Sequence, residues 1–441
     1  MKNGLRRLAG WLQHSSRWLM PGLGVKRWFV FVLLGTTLIG VGLAVLLLEI
    51  YRTAPDTWWL PLLSAASLRW LARPLRAIIF GGLGVGLILF GMWGVNQSLM
   101  APYRRAGGRP TVDDLAAHRK RERGPRVTTI GGGHGLATLL RGLKAYTHNL
   151  TAVVTVADDG GSSGELRRTL GILPPGDIRN CLAALSSDEA LLGQLFQYRF
   201  PSGGNGLDGH SFGNLFITAL AEITGSFESA VAESGRVLSV HGRVLPATLH
   251  DVRLSADVML PHVVGEVRVA GESQIPETAG AIHRIWLEPE NPPAYPGVIQ
   301  AILSSDLIVV GPGSLYTSIL PNLLVPDLAA AIRSSRAVKI YVCNVATQHG
   351  ETEGYTCSDH VRALEEHIGP DMFDIILVNR ENTYPLPDGV QWVYGDDELD
   401  VDHFVHRADL ADPEYPWRHS SQKLASVLLD LLQDRTGPLV E

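Results

Sequence analysis

Apolar residues along the chain fall into three patterns. The first is a pair of long runs near the start. Residues 28–50 hold one acid, Glu49, at the far end, and Ala77–Trp93, continued to Met100, is uncharged and glycine-rich. Each approaches the ~20 residues a helix needs to cross a bilayer. Neither has the short apolar core and small-residue cleavage site of a signal peptide. The pattern predicts a membrane anchor over 1–100 with two transmembrane helices, about 28–50 and 77–100.

The second pattern is a short β-branched strand, a glycine turn, then apolar residues at helical spacing. Val127–Ile130 is the first strand, Gly131–Gly135 its turn, and Leu136–Tyr146 the helix, apolar at Leu136, Leu139, Leu140 and Leu143. A second strand, Leu150–Val156, ends in Ala157-Asp158-Asp159-Gly160-Gly161-Ser162-Ser163-Gly164. Further along, a helix at Val298–Ser304 precedes the strand Leu307–Val310, which runs into Gly311-Pro312-Gly313-Ser314. Strands Lys339–Cys343 and Ile375–Val378 flank a helix at Ser358–His367, and a last helix covers Gln422–Gln433.

The third pattern is a period near two between residues 235 and 290. Val237–Val240, Arg243–Pro246, Val252–Val258, Gly265–Val269 and Ile282–Leu287 read as short strands of a β-rich insert. Together these predict an α/β fold. It is Rossmann-like, a mostly parallel three-layer sheet with a β-rich insert (about 235–290), preceded by two transmembrane helices.

Charge divides the chain the same way. Residues 1–126 hold 18 Lys and Arg against 5 Asp and Glu, and the remainder holds 20 against 39. The acidic remainder argues against nucleic-acid binding, which needs a basic face. The basic front flanks the apolar runs. Six cations precede the first, eight follow the second, and Arg52, Arg69, Arg73 and Arg76 lie between. The positive-inside rule then puts both termini and the main domain in the cytoplasm, with the protein multi-pass in the cell membrane. The same cations attract anionic lipid. Residues 101–125 read as a basic linker to a domain spanning 126–441. Cys181, Cys343 and Cys357 are scattered and odd in number, so neither a zinc site nor a disulfide framework is indicated.

The glycine turns carry the chemistry. Without Cβ atoms, backbone N–H groups approach a phosphate closely, and the following helix points its positive end at the same anion. Leu136 stands where a dinucleotide fingerprint would have its third glycine, which speaks against a nicotinamide-dependent oxidoreductase. A second glycine-serine loop after two aspartates suits a nucleotide whose phosphates span both loops, with a metal. Arg179 and Asn180 lie in a helix that Asp177 can cap, and an arginine there offers a bidentate fork. His210, Ser211 and Asn214 precede the apolar helix Leu215–Thr224. Ser314, Tyr316 and Thr317 sit where a base, sugar or phosphate can be reached.

Taken in order, these loops resemble the YvcK/CofD family. The matching residues are Gly131–Gly135, Asp158–Gly164 with Glu165 and Arg167, Pro174–Asn180, Gly209–Asn214, Gly311–Thr317 and Asn344–Thr352. The resemblance covers about residues 126–435. It implies one of two activities. The YvcK branch, to which Asp158–Arg168 and Pro174–Asn180 look closer, is the gluconeogenesis factor. It binds UDP-N-acetylglucosamine and supports cell shape and envelope growth on gluconeogenic carbon. The CofD branch transfers 2-phospholactate to a deazaflavin precursor and uses magnesium.

The resemblance also implies roles. Gly131, Gly132, Gly133, His134 and Gly135, with Gly311, Gly313 and Ser314, hold a diphosphate. Tyr316 and Arg418 contact the nucleotide sugar. Gly160, Gly161, Ser162, Ser163, Arg179, Asn180, His210, Asn214 and Thr317 complete the ligand site. Asp158 and Asp159 are the magnesium ligands, and the catalytic pair if the protein is a transferase. A homo-oligomer is expected. His134 departs from the small hydroxyl residue many members carry there.

Overall fold

The computed structural model describes residues 120–186, 191–201, 206–278, 280–396 and 398–437, with short stretches between residues 34 and 90. The chain divides into two compact units, Met1–Arg119 and Lys120–Glu441. In the first unit, residues 36–40 and 78–86 are helical. The rest of the expected spans, and residues 101–119 of the linker, lie outside the described residues. Among the described residues, no single helix is long and apolar enough to cross a membrane.

Among its described residues the second unit holds ten strands. Seven form one parallel sheet: β1 (Val127–Gly131), β2 (Leu150–Val154), β3 (Arg243–Pro246), β7 (Leu307–Val310), β8 (Val338–Val342), β9 (Ile375–Asn379) and β10 (Val405–Ala408). Their order is β10-β9-β8-β7-β1-β2-β3. A separate antiparallel sheet, ordered β5-β4-β6, consists of β4 (Arg253–Met259), β5 (Glu266–Ala270) and β6 (Ala281–Glu288).

Alternate residues of the central strands enter two different cores. Ile130, Val153, Ile308 and Val310 pack on one face, and Val127, Ala152, Val154, Leu307 and Val309 on the other. That is why the strands read as apolar runs: a parallel sheet is covered on both sides. One face is covered by α1 (Gly133–Leu143), the helix Gly176–Leu185 and the C-terminal helix Ser421–Thr436, through Leu139, Leu143, Leu182 and Leu428. The opposite core takes Val298 and Ile302 from the helix Pro296–Leu303, together with Leu254 and Val258 of the small sheet. The predicted three-layer architecture is the observed one.

Two parts of the period-two stretch differ from the expectation. Arg243–Pro246 is an edge strand of the main sheet, paired in parallel with β2. Its Val244 fills the core beneath that sheet. Val237–Val240 is not a strand but the end of the helix Phe227–Val237 and the turn after it. There Leu238 is fully buried against the helical layer, so burial rather than pairing selected the apolar residues. The insert's own sheet is confined to 253–288.

The C-terminal helix lies so close to α1 that a Cβ on Gly142 would stand 2.0 Å from the Ser421 carbonyl oxygen and 2.8 Å from the Ala425 Cβ. Gly142→Ala should therefore force the helices apart and cost about 1–3 kcal/mol, as overpacked cores do. The measurement is urea unfolding of both chains, and an unchanged midpoint would show that the contact tolerates a methyl group.

Candidate functional site

β1 and β7 are neighbours in the sheet, and the chain leaves them in opposite directions. From β1 the strands run outward through β2 to β3, and from β7 through β8 and β9 to β10. Ligands of open parallel sheets bind at such a switch point, beyond the carboxyl ends of the strands. Both glycine turns are there. A Cβ on Gly135 would lie 2.4 Å from the Pro312 carbonyl oxygen, so only glycine lets the turns touch. Gly133 has φ +60°, a backbone state that favours glycine.

The glycine turn is already the first turn of α1, which starts at Gly133 rather than Leu136. Its N-cap, Gly132, supplies no side-chain cap. The Gly133 N–H is taken by the Asp177 carboxylate, and those of His134 and Gly135 are left beside the space between the turns, the arrangement that attracts a phosphate. A cleft of about 620 Å³ opens above them. Of the predicted residues, Gly132, Gly133, His134, Gly135, Asp158, Gly313, Ser314, Thr317 and Arg418 line it. Gly131 and Gly311 end their strands beneath it. The Gly131 carbonyl accepts from Asn322 Nδ2 at 2.9 Å, and a Cβ on Gly311 (φ +80°) would lie 2.9 Å from the Val342 carbonyl oxygen.

The cleft has two chemically different flanks. One flank is formed by His134 and Arg141 of α1, with Trp417 and Arg418 from the loop before the last helix. That loop is pinned by His419, whose Nε2 lies 3.2 Å from the Cys343 carbonyl oxygen. Burial brings the His419 pKa down to about 4, so it stays neutral. Burial, and then the charges of Arg418, Arg141 and Arg179, push the His134 pKa down as well. His134 thus meets a ligand as a neutral imidazole with one donor.

On the other flank lie Asp158, Asp177 and Glu272. Asp177 was expected to cap its helix, but it sits within the first turn and its side chain makes no capping bond. Its carboxylate instead accepts from the Gly133 N–H, and a Cβ on Gly132 would lie 2.5 Å from it. Burial and then Asp158 push its pKa up to about 6. Burial raises Asp158 too, although the Gly160 N–H, 2.9 Å away, and the Ser163 hydroxyl oppose the shift. Glu272, from the turn after β5, is pushed up to about 8 by burial and then by Asp158, Asp177 and Glu351.

Asp159 does not join this group. Its Oδ1 accepts from the Ser273 N–H at 2.9 Å, which ties the Glu272 turn to the end of the β2 loop. Tyr316 does not reach the cleft either. Its ring is buried in the core, its hydroxyl lies 2.9 Å from that of Tyr355, and only its N–H works near the site, donating to Glu351 at 3.0 Å. Thr317 Oγ1 donates to the same carboxylate at 2.8 Å.

The remaining predicted residues form a second, buried group behind Asp158. Gly160 and Gly161 open the helix Gly161–Leu170. Ser162 Oγ lies 3.0 Å from His210 Nδ1 and accepts from Asn214 Nδ2 at 3.0 Å. His210 Nε2 faces Glu165 at 3.3 Å. Arg179 Nη2 donates to Asn180 Oδ1 at 3.0 Å. The group holds Ser163 against Asp158, so it orients the acidic flank from below.

Two carboxylates, Asp158 and Asp177, suit magnesium, which takes one or two carboxylates and completes its shell with phosphate and water. Among the described residues no cluster of three or more acids, histidines or cysteines has metal-binding geometry. The fit therefore depends on the phosphate of a bound nucleotide. Of the expected pair Asp158 lines the cleft, with Asp177 as a second lining carboxylate, and Asp159 is turned to Ser273. The sequence hid Asp177 as a cap and gave no signal for Glu272, which lies in an ordinary turn of the insert.

Residues 127–403 match the family model of the 2-phospho-L-lactate transferase CofD. A putative gluconeogenesis factor of Nostoc sp. is 48% identical, over 94% of this chain and 91% of its own length. The gluconeogenesis factor of Bacillus subtilis is 47% identical, over 70% of this chain and 99% of its own. Among solved structures, a UPF0052-family protein of Bacillus halodurans is 44% identical, with a TM-score of 0.63 over 69% of this chain and 98% of that one. The α/β unit is thus similar to whole proteins in Bacillus, whereas the Nostoc match takes in part of the N-terminal segment too. The chain belongs to the CofD family and groups within it with the gluconeogenesis factors.

Proposed function

We propose that the protein is a cytoplasmic nucleotide-sugar-binding regulator of envelope synthesis, tethered to the cell membrane by its N-terminal hairpin. The observation that carries the reading is the touching pair of glycine turns at the start of α1, where the N–H groups of His134 and Gly135 and the helix dipole offer a diphosphate cradle at the switch point of the sheet. Arg418 and Trp417 flank the cradle where a nucleoside would lie. UDP-N-acetylglucosamine is the ligand that the resemblance to YvcK supplies. The name shared by the similar proteins of Nostoc and Bacillus supports a role during gluconeogenic growth. The basic residues around the two apolar runs support the tether.

One observation favours a second reading, a CofD-type transferase. Asp158 and Asp177 face the same cleft as the diphosphate cradle. Magnesium held there would neutralise phosphate charge. The protein's own part would be to orient the diphosphate on the glycine turns and keep the transferred group beside His134.

Titration calorimetry of the full chain with UDP-N-acetylglucosamine and GDP, each with and without magnesium, separates the two. The regulator binds the uridine ligand in preference, and Arg418→Ala weakens that binding by about 10- to 100-fold, the loss expected of a charged hydrogen bond. Preference for magnesium-GDP would move the protein to the transferases.

The acidic flank gives a further expectation. Any strengthening of binding by magnesium should disappear in Asp158→Asn and Asp177→Asn and persist in Asp159→Asn. Loss in the Asp159 variant alone would restore the adjacent-aspartate pair as the metal site.

A further inference from the structure

The cleft is polarised along the sheet edge. On one flank Arg141 of α1 and Arg418 stand with His134. The other flank holds Asp158, Asp177 and Glu272, with Arg179 buried behind Asp177, and the charges that raise Glu272 are those of Asp158, Asp177, Glu351 from the loop after β8, and Asp159. The glycine turns lie between the two groups. A diphosphate seated on them therefore has cations on one side and carboxyl groups on the other.

Most of those carboxyls already have fixed partners. Asp158 accepts from Gly160, Asp177 from Gly133, and Glu351 from Tyr316, Thr317 and Gln348. Glu272 is the acid that the small antiparallel sheet carries into the cleft. Its turn is fastened by the Asp159–Ser273 hydrogen bond, and Gly271 (φ +113°) leaves no room for a Cβ, which would lie 2.7 Å from Asp159 Oδ2. The insert thus serves as a holder for one carboxyl group.

We infer that Glu272, with Asp158 and Asp177 behind it, is a specificity filter that admits an uncharged, hydroxyl- or amide-bearing sugar beyond the diphosphate and rejects a sugar bearing a carboxylate. This rests on the nucleotide-sugar reading above. Three carboxyl groups line this flank of the cleft, so a ligand carboxylate seated beside them meets like charge. Sugar hydroxyls and amides, by contrast, can donate to them. Rejection by like charge is selection by repulsion rather than by added contacts.

The test compares UDP-glucose with UDP-glucuronic acid, which differ only at C6, in magnesium-free titrations of the full chain at pH 7. UDP-N-acetylglucosamine is the positive control. UDP-glucuronic acid should bind at least about tenfold more weakly than UDP-glucose, as one misplaced like charge would cause. Glu272→Lys, which sets a cation opposite Asp158 and Asp177, should shrink that ratio to less than about threefold by relieving the repulsion. If that chain does not fold, Asp177→Asn should shrink it in the same direction. Equal binding of the two sugars by the unaltered protein overturns the inference, as does a ratio that the substitutions leave unchanged. Failure of all three uridine ligands to bind would instead remove the nucleotide-sugar reading itself, and the filter with it.

Discussion

The site depends on two glycine turns being allowed to touch. The Pro312 carbonyl stands where any side chain at residue 135 would have to be. Because that space is empty, the ends of β1 and β7 close to a separation at which one small anion can meet both turns. The sheet sets the direction of approach and the missing Cβ atoms set the distance. Neither the start of α1 nor the flanking side chains would face a common ligand if this contact were looser.

Around that contact the protein arranges charge asymmetrically. Burial pushes Glu272 up to about 8, so at neutral pH that acid carries little charge, whereas Asp177, pushed up to about 6, stays mostly ionised. In a low-dielectric cleft, isolated charges are costly, and groups that can shed theirs do so. The hydrogen bonds from Gly160 and Gly133 hold two of the carboxylates in place. The buried Ser162, His210 and Asn214 group supports Ser163, which supports Asp158 in turn. The acidic flank is thus held by successive polar contacts, and the basic flank by α1, which carries His134 and Arg141, and by the loop pinned at His419.

Much of this was legible in the sequence because the sheet is parallel and covered on both faces. Strands buried that way read as apolar runs, and the turns after β1, β2 and β7 announce themselves by glycine. Periodicity misled where burial imitates it. Leu238 and Val240 alternate like a strand but belong to a helix end, and Val244 alternates because the main sheet, not the insert, takes it. Side-chain direction was the other hidden quantity. Tyr316 lies in a glycine-elbow motif yet turns into the core, and of the adjacent Asp158 and Asp159 one faces the cleft and the other fastens a distant turn. Asp177 was disguised by a position that suits a cap. Glu272 was invisible because its importance arises from a long-range approach of the insert to the sheet edge.

The packing of the last helix on α1 has a consequence for how the protein comes into being. The phosphate cradle is encoded near Gly133, but Arg418 and the helix that buries against Gly142 are encoded almost three hundred residues later. On the ribosome, β1 and α1 emerge long before the elements that complete their surroundings. A nascent chain displays the apolar face of α1 until Leu424 and Leu428 arrive to cover it. The cleft gains its Trp417 and Arg418 flank only when those late residues are made, and a message cut short before them yields a product that exposes this hydrophobic surface.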